Sequence, residues 1–113
     1  MHLKEHQAHV EALVDEAKDL ERRASEAATE HIRQIKARRA SRPDNEELVK
    51  ALTTVIEART AQLEAIRQLR DVLVDAAVAE PQTTRWERRR LRRTLERGVA
   101  SMRSGVTDLE KLV

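Results

Sequence analysis

Apolar residues recur along this chain at helical rather than strand spacing. In the first third, Val10, Leu13, Val14, Ala17, Leu20, Ala24, Ala28, Ile32 and Ile35 mostly step by three or four positions. At about 100° per residue, that spacing puts them on one stripe of a helix. The last third repeats the pattern with Leu91, Leu95, Val99, Met102, Val106, Leu109 and Leu112, and Gly98 and Gly105 fall in the same face. The middle third is broader. Leu48, Ala51, Leu52, Val55, Ile56, Leu63, Ile66, Leu69, Val72, Leu73 and Ala76 spread over more than half of the helical wheel. A helix apolar over that width needs partners on two sides, so the second helix is expected to lie between the other two.

Two breaks separate these patterns. At Ser41-Arg42-Pro43-Asp44-Asn45, Pro43 stops one helix, Asp44 can cap the next, and Glu47 stands where a capping-box acid belongs. At Glu80-Pro81-Gln82-Thr83-Thr84, Thr84 is the expected cap and Glu87 its partner. The resulting prediction is three helices over about 3–41, 45–80 and 85–112. Tight connections make sequential helices antiparallel, which gives an all-α, up-down-up three-helix bundle as a single domain over 1–113. At 1.5 Å of rise per residue the second helix alone is about 50 Å long, so the body is a rod. A rod has much surface for its volume, and self-association through coiled-coil-like faces is expected. The other arrangement that fits is a hairpin of the first two helices that dimerises, with the third helix docked on a partner chain.

Composition narrows the possibilities. The 113 residues are 40% hydrophobic, 37% charged and 1% aromatic, with two Gly and two Pro. That mixture lacks the turn punctuation and aromatic strands of a β architecture. With no Cys, disulfide scaffolds, thiolate metal sites and thiol nucleophiles are excluded. No apolar run approaches the ~20 residues of a membrane span, and no secretory signal pattern opens the chain, so a cytoplasmic protein is expected. Arginine outnumbers lysine 17 to 5, a bias typical of GC-rich bacterial sources.

The formal net charge of +2 conceals strong segregation. Residues 5–30 hold eight acids against three bases, and residues 82–103 hold eight arginines against Glu87 and Glu96. Arg33, Lys36, Arg38, Arg39 and Arg42 form a second basic patch near the first break. An up-down-up bundle sets the arginine block beside the acidic half of the first helix, so internal pairing is expected to answer much of its charge. Arg89, Arg93 and Arg97 lie opposite the Leu91–Leu95 stripe and should face solvent. Trp86 admits two readings: a plug over the end of the second helix near Val78, or an anchor at an interface.

These residues yield a candidate partner-binding surface of Trp86, Arg89, Arg93 and Arg97, joined by Arg38, Arg39 and Arg42. The expected partner is an acidic protein surface or a second copy of the chain; nucleic acid reached by the same arginines is the alternative. Counting levels from the two turns sets Arg59 opposite Gly105 and Ile66 opposite Gly98. Glu21 then comes near Arg59 and Gln62, a polar layer that would fix helix alignment. His2, His6 and His9 share one side of the first turns, but without a further ligand they make a weak metal site, and no metal or cofactor is expected.

Catalysis has little to work with. There is no thiol, no Gly-rich phosphate loop, no serine near a histidine and no Glu-x-x-His pair, so the chain is not expected to be an enzyme. The three-long-helix plan resembles that of spectrin-like repeats in architecture alone, and carries no specific motif of any family.

Overall fold

The computed structural model describes residues 2–79 and 84–113. It contains three α-helices: α1 (Leu3–Ala40), α2 (Glu46–Val78) and α3 (Arg85–Glu110). The expected break at Pro81, and Glu80 at the end of the expected second helix, lie outside the described residues. The caps of α2 and α3 have chemical causes. Asn45, rather than the expected Asp44, caps α2, its side chain accepting from the Leu48 N–H at 3.1 Å. Thr84 caps α3 as expected: its hydroxyl accepts from the Glu87 N–H at 3.1 Å and donates to the Glu87 carboxylate at 2.8 Å.

The helices form an up-down-up bundle measuring 63 × 18 × 16 Å. Cross-helix pairs establish the directions. His9, Glu16 and Arg23 of α1 meet Glu96, Arg103 and Glu110 of α3 in ascending order, so these two run parallel. Glu21 and Arg39 of α1 meet Arg67 and Thr53 of α2 in descending order, so this pair is antiparallel. Thus α3 packs on its own hairpin. Among the described residues, no helix is long and apolar enough to cross a membrane.

The core runs through Leu13, Ala17, Leu20, Ala24 and Ala28 of α1, Leu63, Ile66 and Leu73 of α2, and Leu95, Val99, Met102, Val106 and Leu109 of α3. Burying each large aliphatic side chain contributes about 1.5–3 kcal/mol, and these positions are the apolar stripes read from the sequence. The central helix is α1, however, and not α2: it packs along both neighbours, while α2 and α3 meet less extensively. Alanine explains the exchange. Four of the seven buried α1 residues are Ala17, Ala24, Ala27 and Ala28, whose short side chains let both partners approach. The breadth of the α2 stripe therefore has another consequence, because part of it faces outward.

The glycines set the spacing between α2 and α3. Gly98 lies against Leu73 and Gly105 against Ile66, one heptad away from the pairing expected from the turns. The offset arises because α3 does not start level with the end of α2: its first turns project past Val78, alongside the start of α1. At the far end, Glu110 is level with Arg23, and Val113 lies near Ala27 and Glu30. Beyond that level the rod continues as a two-helix hairpin.

Candidate interaction surface

The α3 surface begins at the Thr84 cap. Residues four apart on a helix lie about 6 Å apart along its axis, so Arg89, Arg93 and Arg97 form a row on one side. All three are exposed, and among the described residues none makes an ion pair or hydrogen bond. Trp86 is 66% exposed, and the Arg90 guanidinium lies 5.4 Å from the centre of its ring. The tryptophan is therefore no plug over α2; it stacks with a cation at the open end of α3. Trp86, Arg89, Arg90, Arg93, Thr94 and Arg97 together line a shallow groove.

The expected neutralisation of this block by α1 takes place elsewhere. At this level α1 turns histidines toward α3. Glu5, Glu11 and Asp15 are exposed and pair with none of the arginines. Arg92 is directed inward instead, donating to His6 Nδ1 at 2.9 Å. Burial, followed by the charges of Arg92, Arg88 and His9, lowers the pKa of His6, so the ring is neutral and its Nδ1 accepts.

Below the groove the charges pair regularly. His9 meets Glu96 at 2.9 Å, Glu16 meets Arg103 with a second contact at 2.7 Å, and Arg23 meets Glu110 at 2.6 Å. The contributing residues are seven apart on each helix, the repeat that keeps two parallel helices facing each other. Hydrogen bonds from Arg103 and Arg23 lower the pKa values of Glu16 and Glu110 respectively. The acidic half of α1 thus answers the lower part of α3 and leaves the arginine row uncompensated.

The remaining predicted residues are dispersed. Arg38 and Arg42 are exposed at the hairpin tip, while Arg39 donates to Thr53 Oγ1 at 3.1 Å. The tip lies at the opposite end of the rod from Trp86, so the two patches are separate surfaces. The polar layer is also divided. Glu21 accepts from Arg67 Nε at 3.1 Å, and Arg67 reaches Ser25 at 3.3 Å. Arg59 lies two turns away and donates to Gln62 along α2 at 2.7 Å. Sequence reading missed Arg67, although its position four residues after Leu63 puts it on the flank of the α1-facing stripe.

His6 and His9 are engaged by α3, and no group of three or more His, Asp or Glu among the described residues is arranged to hold a metal ion. Comparison with protein-family models, with curated proteins and with solved structures finds no match to this chain.

Proposed function

We propose that this chain is a non-enzymatic, cytoplasmic protein-interaction or assembly module whose contact site is the Trp86–Arg97 face of α3. The observation that carries this reading is the row of Arg89, Arg93 and Arg97, exposed and without a counter-charge among the described residues, beside an exposed Trp86. Arginine and tryptophan are enriched at the energetic centres of interfaces, because each combines a large contact area with a directional polar group. An acidic helix with carboxylates at i, i+4 and i+8 repeats the spacing of the arginines, and a bidentate carboxylate suits each guanidinium.

Trp86 is the chain's one tryptophan, so its fluorescence reports this site directly. An acidic helical peptide with Glu at i, i+4 and i+8 should change the emission saturably, and Arg89→Glu with Arg93→Glu should abolish the change. Parallel titrations with single- and double-stranded DNA separate the nucleic-acid reading. Affinity for DNA that exceeds affinity for the peptide and collapses steeply with added salt would replace the protein-partner reading.

A further inference from the structure

The part of the α2 stripe that faces away from the core has its own repeat. Ala51, Ala58, Ala65 and Val72 recur every seven residues, and all four are exposed, Val72 to 61%. Alternating with them, Val55, Leu69 and Ala76 are half-buried and Gln62 is exposed. Together they follow the 3-4 spacing of a coiled-coil seam, in which 48, 55, 62, 69 and 76 are a positions and 51, 58, 65 and 72 are d positions. Seven of these eight named side chains are apolar; the d positions are exposed, and the a positions border the core, with Leu69 packed against it and Ala76 facing α3.

We infer that this outer seam of α2 is the contact surface for a second copy of the chain, with the two α2 helices parallel and in register. Two observations specify the copy and its direction. The first is Gln62, the polar residue at a central a position. In a parallel, in-register pair it meets Gln62 of the second copy, where the amide N–H of each can donate to the other's oxygen beside the Arg59 bond that oxygen already accepts; such residues fix register and number of strands. The second is the charge on the flanks. On the α3 side, Trp86, Arg90 and Thr94 line a shallow cleft with Ala76, and Arg97 follows one turn on. On the other side stand Gln68 and Asp75, with Asp75 in no ion pair among the described residues. A two-fold axis parallel to α2 brings the arginine flank of each copy against the Asp75 flank of the other. An antiparallel pair centred on Gln62 would carry the arginine flank of each copy to the hairpin end of the other, away from Asp75, so charge complementarity favours the parallel arrangement. The small d residues let the helices approach closely without displacing the core behind them.

This inference stands apart from the ligand of the arginine row: Arg89 and Arg93 face away from the seam, and Arg97 borders both surfaces. The test exploits the absence of cysteine. Ala58→Cys, Ala65→Cys and Val72→Cys are made singly and oxidised, and the unmodified chain is weighed by light scattering after nuclease treatment. Twice the monomer mass, with disulfide-linked dimers from all three variants, is the expected result. Ala65→Glu should give the monomer mass with unchanged helical circular dichroism, whereas Arg93→Glu should stay dimeric even where it loses acidic-peptide binding. A monomer mass at every concentration tested overturns the proposal. So does a dimer that none of the three cysteines can link. Linkage by one cysteine alone indicates antiparallel helices crossing at that residue, and overturns the parallel arrangement.

Discussion

The two ends of this rod are built from the same pair of helices and differ in whether α3 is present. In the three-helix half, Leu13, Ala17, Leu20 and Ala24 of α1 are at most 8% exposed, and Leu95, Val99, Met102 and Leu109 opposite them at most 1%. In the hairpin half, Leu52 is buried, while Ile32, Ile35, Leu48, Val55 and Ile56 reach only partial burial. Two helices can cover one flank of each other, and a third is needed to close the remaining angle. The α1 sequence follows the change. Positions that continue the α3-facing stripe beyond Ala27 are Glu30, His31, Gln34 and Arg38. The polar switch comes where α3 ends, so the hairpin end is not simply a three-helix core missing its third member.

The largest effects should separate the halves. Leu95→Ala removes a side chain that is 1% exposed from the three-helix core, and should cost about 2–5 kcal/mol in urea unfolding. Leu52→Ala makes the same chemical change where neighbours and solvent can fill the space, and should cost about half as much or less. Equal losses would mean that the hairpin end is as tightly closed as the rest, and would remove the basis of the comparison. Hydrogen exchange should agree, with hairpin amides opening below the global free energy and core amides of α3 at it.

The glycines sharpen the comparison at the α2–α3 contact, and should respond with opposite signs. A Cβ on Gly98 would lie 2.8 Å from Leu73 Cδ1 and 3.1 Å from its Cγ, and Leu73 is 3% exposed with little room to move. Overpacking of this kind costs about 1–3 kcal/mol, more than the roughly 1 kcal/mol of helix propensity that alanine adds. Gly98→Ala should therefore lower stability by about 1 kcal/mol. At Gly105 the nearest atom is Ile66 Cδ1 at 3.6 Å, an ordinary contact. Gly105→Ala should then gain about 0.5–1 kcal/mol from propensity alone. Thermal midpoints of the two variants test both signs in one experiment.

Helix number, order and most core positions were legible from spacing, because burial of one face imposes a 3.6-residue period on any amphipathic helix. The central helix was misread because width of the apolar arc was taken as the measure of burial. Ala17, Ala24 and Ala28 bury a helix deeply while adding little hydrophobic signal, whereas the wide α2 arc includes the outward Ala58, Ala65 and Val72. The levels of Arg59 and Gly105 were misplaced by one heptad, since counting from the turns assumes that α3 starts beside the end of α2. Pairing of Arg92 with His6, rather than with an acid, had no signal in the charge totals; it depends on which α1 side chains face α3, and hence on the register itself.

Acid should loosen the attachment of α3 to the start of α1. His6 is 4% exposed, and the charged groups facing it are Arg92 and Arg88 from α3 and His9 from its own helix. Its folded-state pKa is depressed by burial first and by these charges second. The folded chain therefore binds fewer protons here than the unfolded chain, and stability rises with pH across this window. The contribution is complete above the ordinary histidine value of about 6.5 and is lost as pH falls through the lower folded-state value. Thermal midpoints should decline from pH 7 to pH 5, and His6→Gln, which keeps an acceptor for Arg92 without a titrating ring, should flatten that decline. An unchanged slope in the variant would assign the acid sensitivity to other groups.

The smallest effect belongs to the ion pairs that align α1 with α3. Arg23 and Glu110 are well exposed, at 38% and 40% of their side-chain surface, so the pair contributes little to stability and is screened by salt. What it supplies is selection among alignments. In the native register Glu16 meets Arg103 and Arg23 meets Glu110, whereas a slip of one heptad sets Glu16 against Glu96 or Glu110, and Arg23 against Arg103. Arg23→Glu should lower the midpoint slightly at low salt and hardly at all at high salt. Adding Glu110→Arg should restore it, because the swapped pair keeps opposite charges in contact. Restoration in the double variant, with nothing regained by Glu110→Arg alone, identifies a pairwise alignment term. Simple additivity of the two changes would assign the alignment to the apolar seam of Leu13, Leu20, Val99 and Val106.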